Sequence, residues 1–113
     1  MWPCSRGSSG VAVGDVDVSE AYDRCRRGAK LVDVRSPGEF RGSRAKGARN
    51  VSPDQIKRDA TGLKRDDELL VICASGHRSS RAARQLAGMG FTNVSNVRGG
   101  LHAWRSAGLP LNK

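Results

Sequence analysis

The chain has 113 residues, which fits one domain of ordinary size and leaves little room for a second. Its longest apolar run, Leu69 to Ala74, is far short of the roughly 20 residues of a membrane span, and no apolar stretch follows Arg6 to make a secretory signal, so both are excluded. A net charge of +9, from 20 basic and 11 acidic residues, suits nucleic acid, an anionic surface or a small anionic substrate; three cysteines, an odd number, speak against a disulfide scaffold and for a reducing, cytoplasmic home.

Met1 to Gly10 is rich in Ser and Gly and has no periodicity; it reads as a flexible leader, with Cys4 exposed and incidental, ahead of a domain over 11–113. Val11 to Val18, with valines at 11, 13, 16 and 18, predicts a short first strand broken near Gly14 and Asp15. Ser19 is then the expected N-cap of a helix over Glu20 to Arg27, with Ala21, Tyr22 and Cys25 on one side. Cys25 at that spacing reads as a small core residue. Leu31, Val32 and Val34 predict a strand over Lys30 to Val34, ended by Ser36-Pro37-Gly38 and followed by a short helix over Glu39 to Gly42. Ala48 to Val51 is a short strand candidate, and Ser52 as cap with Pro53 in the first helical position predicts a brief helix to Asp59.

Val, Leu, Ile and Phe together number only 22, just under the roughly 20% share at which a highly charged chain can stay disordered, so pattern has to establish the fold. Leu69 to Cys73 supplies the strongest pattern: unbroken hydrophobicity that predicts a central strand buried on both faces. Ser79 to Ala87 follows with helical spacing, Ala82, Ala83, Leu86 and Met89 inward and Arg81, Arg84 and Gln85 outward, closed by Gly88 and Gly90. Thr92 to Val97 predicts a fifth strand, and Gly99-Gly100 leads into a last helix over Leu101 to Ser106, ended by Gly108 and Pro110. Strands alternating with helices mean an α/β domain with a mainly parallel sheet, whose ligand site lies beyond the carboxyl ends of the strands.

The residues beyond the most buried strand are Cys73-Ala74-Ser75-Gly76-His77-Arg78-Ser79. A Gly-bearing loop running into a helix N-terminus offers free backbone N–H groups and the positive end of the helix dipole, and Arg78 is expected to add a full charge. All three favour thiolate over thiol at Cys73 and would also bind an anion. The competing reading is an inert strand cysteine, but an inert strand end needs neither Gly76 nor Arg78 at this spacing. His77 is a tempting general base, yet nothing in its position fixes its direction. With His102 in the last helix and the cysteines scattered, there is no zinc spacing and no C-x-x-C pair, so neither a metal site nor dithiol chemistry is expected. The five aromatic residues stand outside the basic clusters, so nucleic acid, which needs stacking platforms beside basic residues, is not the expected partner.

Leu31 to Phe40 (LVDVRSPGEF), Lys46 to Asn50 (KGARN), Val71 to Ser79 (VICASGHRS) and Val97 to Trp104 (VRGGLHAW) stand in the order of four motifs of the single-domain rhodanese family, which the chain resembles over about Val13 to Pro110. The resemblance implies a rhodanese-like five-stranded sheet flanked by helices on both faces. It also implies sulfurtransferase chemistry at Cys73, with Ala74, Ser75, Gly76, His77, Arg78 and Ser79 as the binding loop. Asp33, Arg35 and Glu39 match a motif whose role there is charge pairing around the strand-to-helix turn. Where many members read Gly-His-Ile, this chain has Ser43-Arg44-Ala45, outside the loop. The implied reaction takes sulfur from thiosulfate or a similar small anionic donor onto Cys73 as a persulfide and passes it to cyanide, a thiol or a protein acceptor. It requires no metal or organic cofactor and no membrane.

Two other readings stand beside it. A phosphatase or arsenate reductase uses a similar cysteine cradle, but its loop reads Cys-x5-Arg, and here the arginine comes one residue sooner. A sulfur-relay or protein-interaction module would carry the same chemistry at Cys73 and differ only in its acceptor.

Overall fold

The computed structural model describes residues 13–113; the expected leader with Cys4, and the start of the expected domain at Val11, lie outside them. Within them the chain runs β1 (Gly14–Val16), α1 (Val18–Arg26), β2 (Lys30–Asp33), α2 (Pro37–Gly42), β3 (Arg44–Ala45) and β4 (Arg49–Asn50). It continues through α3 (Pro53–Lys57), β5 (Glu68–Ile72), α4 (His77–Gly88), β6 (Asn93–Val97), α5 (Gly100–Ser106) and β7 (Leu111–Asn112). Five strands form one parallel sheet in the order β1-β6-β5-β2-β4. The fold is therefore α/β with a five-stranded parallel sheet, as the alternation of elements predicts.

β5 holds the centre because it has no polar residue after Glu68. Leu69, Leu70, Val71 and Ile72 are all buried, and their alternation divides them between two cores. Leu69 and Val71 pack with Val32 and Val34, with Ile56 of α3, and with Ala82, Ala83 and Leu86 of α4. Leu70 and Ile72 pack on the other face with Leu31 and Val97, with Ala21 of α1, and with Leu101 and Trp104 of α5. Each large apolar side chain so buried contributes about 1.5–3 kcal/mol. No helix among the described residues is long and apolar enough to cross a membrane.

Three local expectations are corrected. The first strand does not break at Gly14 and Asp15; it runs through them, paired with Ser95 and Asn96 of β6. The N-cap of α1 is Asp17, not Ser19: its carboxylate accepts from the Glu20 N–H at 2.8 Å, and starting the helix at Val18 lets Val18 and Ala21 both reach the core. The helix after Gly76 begins at His77, two residues before Ser79, so His77 and Arg78 belong to its first turn. The short β3–β7 antiparallel pair has no apolar run to announce it. α2 starts at Pro37 because Ser36 and Glu39 form a reciprocal capping box around it.

The connections place the site. After β2 the chain leaves toward β4 on one side, and after β5 it leaves through α4 toward β6 on the other. The crevice between the carboxyl ends of β2 and β5 is thus the point where the winding reverses, the usual ligand position in such sheets. Cys73 is the first residue past β5 at that point.

Candidate active site

Cys73 is only 1% exposed, more deeply set than a residue at a cavity mouth. The loop curls round its sulfur. Gly76, the N-cap of α4, has φ +103° and donates its N–H to Sγ at 3.0 Å. A side chain there would be strained, and its Cβ would press to 3.3 Å of the Gly99 N–H nitrogen.

What turns the loop's N–H groups inward is the N-terminus of α5. The Leu101 N–H donates to the Cys73 carbonyl at 2.7 Å and the His102 N–H to the Ala74 carbonyl at 3.1 Å. In a trans peptide the C=O and the following N–H point in opposite directions. Holding the Ala74 carbonyl toward α5 therefore aims the Ser75 N–H at the sulfur. Gly100 makes that docking feasible: it has φ +57°, and a Cβ there would collide with the Cys73 and Ala74 backbone. Gly99-Gly100 is thus more than a helix entry: a Gly pair at the end of a strand facing the Cys73 loop signals close backbone approach.

Burial is the largest single influence on the Cys73 thiol and pushes its pKa up. Hydrogen bonds from the Ser79 side chain and from the backbone N–H groups of Ser79, Gly76 and Ser75 together outweigh it, so the pKa lies below that of an ordinary thiol. Cys25 shows the opposite case: half-buried beside the second core with no such donors, it is pushed up to about 11 by burial first and by the Glu68 carboxylate second. We therefore expect the alkylation of Cys73 by iodoacetamide, followed by mass spectrometry, to reach half its maximal rate at a pH below that of a free thiol peptide. Cys25 in the same protein should stay nearly unreacted at neutral pH. A Cys73 midpoint above the peptide's would show that burial dominates.

The other loop residues divide. Ser75, Gly76 and Ser79 face the sulfur. Ala74 contributes its carbonyl to the α5 contact. The His77 ring is exposed, with Nδ1 3.2 Å from the Ser75 hydroxyl. His102 is exposed on α5 and takes part through its backbone N–H alone. Arg78 is not the free charge the sequence suggests: its guanidinium makes two hydrogen bonds to Glu39 of α2, at 2.8 and 3.0 Å. That pairing, foremost, holds the Glu39 carboxyl down at about 2. Glu39 thus serves both the α2 capping box and the clamp across the crevice. Beside the loop, a groove of about 340 Å³ has Val34, Pro53, Ile56 and Ala82 as apolar lining and His77, Arg78 and Arg81 as polar lining.

Asp33 and Arg35, on the other wall, are buried and paired through both carboxylate oxygens, and the Arg35 guanidinium also reaches the Ser43 carbonyl. The Asn50 amide ties the Asp33 and Arg35 carbonyls at 3.0 and 2.9 Å. These bonds hold the β2-to-α2 turn that carries Glu39.

The family model of the Rhodanese-like domain matches residues 17–107. The chain is 36% identical to Thiosulfate sulfurtransferase 16, chloroplastic, of Arabidopsis thaliana, over 84% of this chain and 89% of that one. It is 34% identical to Thiosulfate sulfurtransferase GlpE of Vibrio cholerae, over 86% and 91%. Its fold is similar to the solution structure of a rhodanese-like domain from Anabaena sp., with a TM-score of 0.80 and 26% identity over 89% of this chain and 80% of that one. The motifs, the parallel sheet and these matches agree: the chain belongs to the rhodanese family.

Proposed function

We propose that this protein is a sulfurtransferase whose nucleophile is Cys73 and whose substrate loop is Ala74 to Ser79, within a domain over 11–113 working in the cytoplasm. The observation that carries the reading is the set of backbone N–H groups converging on one nearly buried sulfur. The Cys73 thiolate attacks the outer sulfur of thiosulfate, the S–S bond of the donor breaks, and sulfite leaves with the electron pair. The product is a Cys73 persulfide whose terminal sulfur carries the negative charge, stabilised by the loop donors. Cyanide or a thiolate then attacks that terminal sulfur, giving thiocyanate or a new persulfide and returning the Cys73 thiolate. No residue has to act as a proton donor in either step, so the exposed His77 is not needed as a general acid. The reaction needs only nucleophilic sulfur and prearranged dipoles, so it calls for no metal or organic cofactor.

The test is a steady-state assay with thiosulfate and cyanide or a small thiol, beside p-nitrophenyl phosphate as a phosphatase substrate. Thiocyanate or persulfide formation, and a mass gain of one sulfur on Cys73 after donor alone, are expected. Hydrolysis of the phosphate ester with no sulfur adduct would overturn the proposal in favour of oxyanion chemistry.

A further inference from the structure

Ser79 is wholly buried in the first turn of α4, and its hydroxyl has one hydrogen but two neighbours that want it. One is the Cys73 sulfur, whose thiolate form a hydrogen bond from the Ser79 side chain favours. The other is Asn96 on β6, whose Oδ1 accepts from Ser79 Oγ at 2.6 Å. The direction of the Asn96 amide is set from its far side. Its Nδ2 donates to Asp15 Oδ1 at 3.0 Å, and Asp15 stands beside it in register on β1. A carboxylate only accepts, so the NH₂ group must face Asp15 and the carbonyl must face Ser79. Asn96 is 6% exposed in the interior of a parallel sheet, where an amide is costly unless both ends are satisfied, and here they are.

We propose that Asn96, oriented by Asp15, is a positioning residue that competes with the Cys73 sulfur for the single hydroxyl hydrogen of Ser79. With the hydrogen on Asn96, a lone pair of Ser79 Oγ faces Cys73 and suits a protonated thiol. With the hydrogen turned to Cys73, it suits the thiolate or the persulfide anion, and Asn96 Oδ1 loses its donor. The hydroxyl is thus a two-position rotor, and Asn96 holds back the form that reacts. The charge that faces this sulfur is the Arg78 guanidinium on α4, on which Glu39 of α2 and Asp33 of β2 also act. None of them touches Asn96. The inference rests on the proposed function only in taking Cys73 as the reacting group.

The experiment measures Cys73 alkylation by iodoacetamide at pH 7, with folding followed by near-ultraviolet circular dichroism. Asn96→Leu, close in shape and unable to accept, leaves the Ser79 hydroxyl with the sulfur as its remaining partner. The rate should rise roughly 3- to 10-fold, the net scale of one ordinary hydrogen bond. Ser79→Ala should slow it, and Asn96→Leu should add nothing in the Ser79→Ala background. Asp15→Ala leaves the core untouched and frees the amide to turn, so it should raise the rate by less. Asp15→Asn removes the same charge but keeps an acceptor, and it should stay at the wild-type rate. If Asn96 merely props α4 against β6, then Asn96→Leu and Asp15→Ala will leave the rate unchanged or lower it, and the rotor is overturned. A rise with Asn96→Leu that persists without Ser79 would overturn it too. Should Asn96→Leu fail to fold, the two Asp15 variants decide alone. Alkylation consumes no sulfur donor, so a wild-type protein inactive with thiosulfate would sink the proposed function and leave this test standing.

Discussion

Cys73→Ser should abolish sulfur transfer, by more than about 1000-fold, while the protein stays folded. A serine oxygen cannot carry the terminal sulfur as a persulfide, and at neutral pH it is not ionised as the thiol can be. The structural cost is small: the hydroxyl can accept the Gly76 N–H that now bonds Sγ at 3.0 Å, leaving a change of about 1 kcal/mol. Cys25→Ser is the paired control. Cys25 is packed against the second core, remote in sequence and fold from the loop, so turnover should be retained and only stability should fall, again by about 1 kcal/mol. The measurement is thiocyanate formation per folded molecule, with stability from urea unfolding. Turnover by Cys73→Ser at more than a few per cent of wild type would transfer the chemistry to another residue.

The strands of the parallel sheet and the position of the loop are legible in the sequence because both depend on local pattern. β5 announces itself by Leu69 to Ile72, and the loop by glycine between a buried strand and a helix. What could not be read is every relation between residues distant in the chain. Arg78 read as a free charge because its partner, Glu39, lies 39 residues away and meets it only when α2 and α4 flank the same crevice. Asn96 reads as an ordinary strand residue because its partners Ser79 and Asp15 come from α4 and from the neighbouring edge strand β1, each distant in the chain. Ser19 suits a cap by residue type, and so does Asp17; what decides for Asp17 is the burial of Val18, a tertiary fact. The β3–β7 pair joins residues more than sixty apart through two residues on each side, too few for any periodicity to register.

The second large effect concerns stability. Asp33→Ala should destabilise the fold by about 3–5 kcal/mol, because it leaves the Arg35 guanidinium buried without its counter-charge. Arg35 is 5% exposed, and among the described residues only the Ser43 carbonyl besides Asp33 satisfies its guanidinium donors. A domain of this size is stable by only about 5–15 kcal/mol, so the loss is a large share of the whole. The pair itself need not be strongly stabilising, since taking both charges out of water costs nearly what their attraction returns. The double variant Asp33→Leu/Arg35→Met should therefore recover most of the stability lost in the single one. It should not recover the geometry of the turn: without Arg35 bridging to Ser43, α2 and its Glu39 are no longer fixed against α4, and the clamp on Arg78 loosens. Urea unfolding of the three proteins measures the first statement. The second is measured by the salt dependence of thiosulfate turnover, which should steepen in the double variant as Arg78 is released toward the anion. A single variant as stable as wild type would mean that water reaches Arg35, and that Asp33 is not what holds this wall of the crevice.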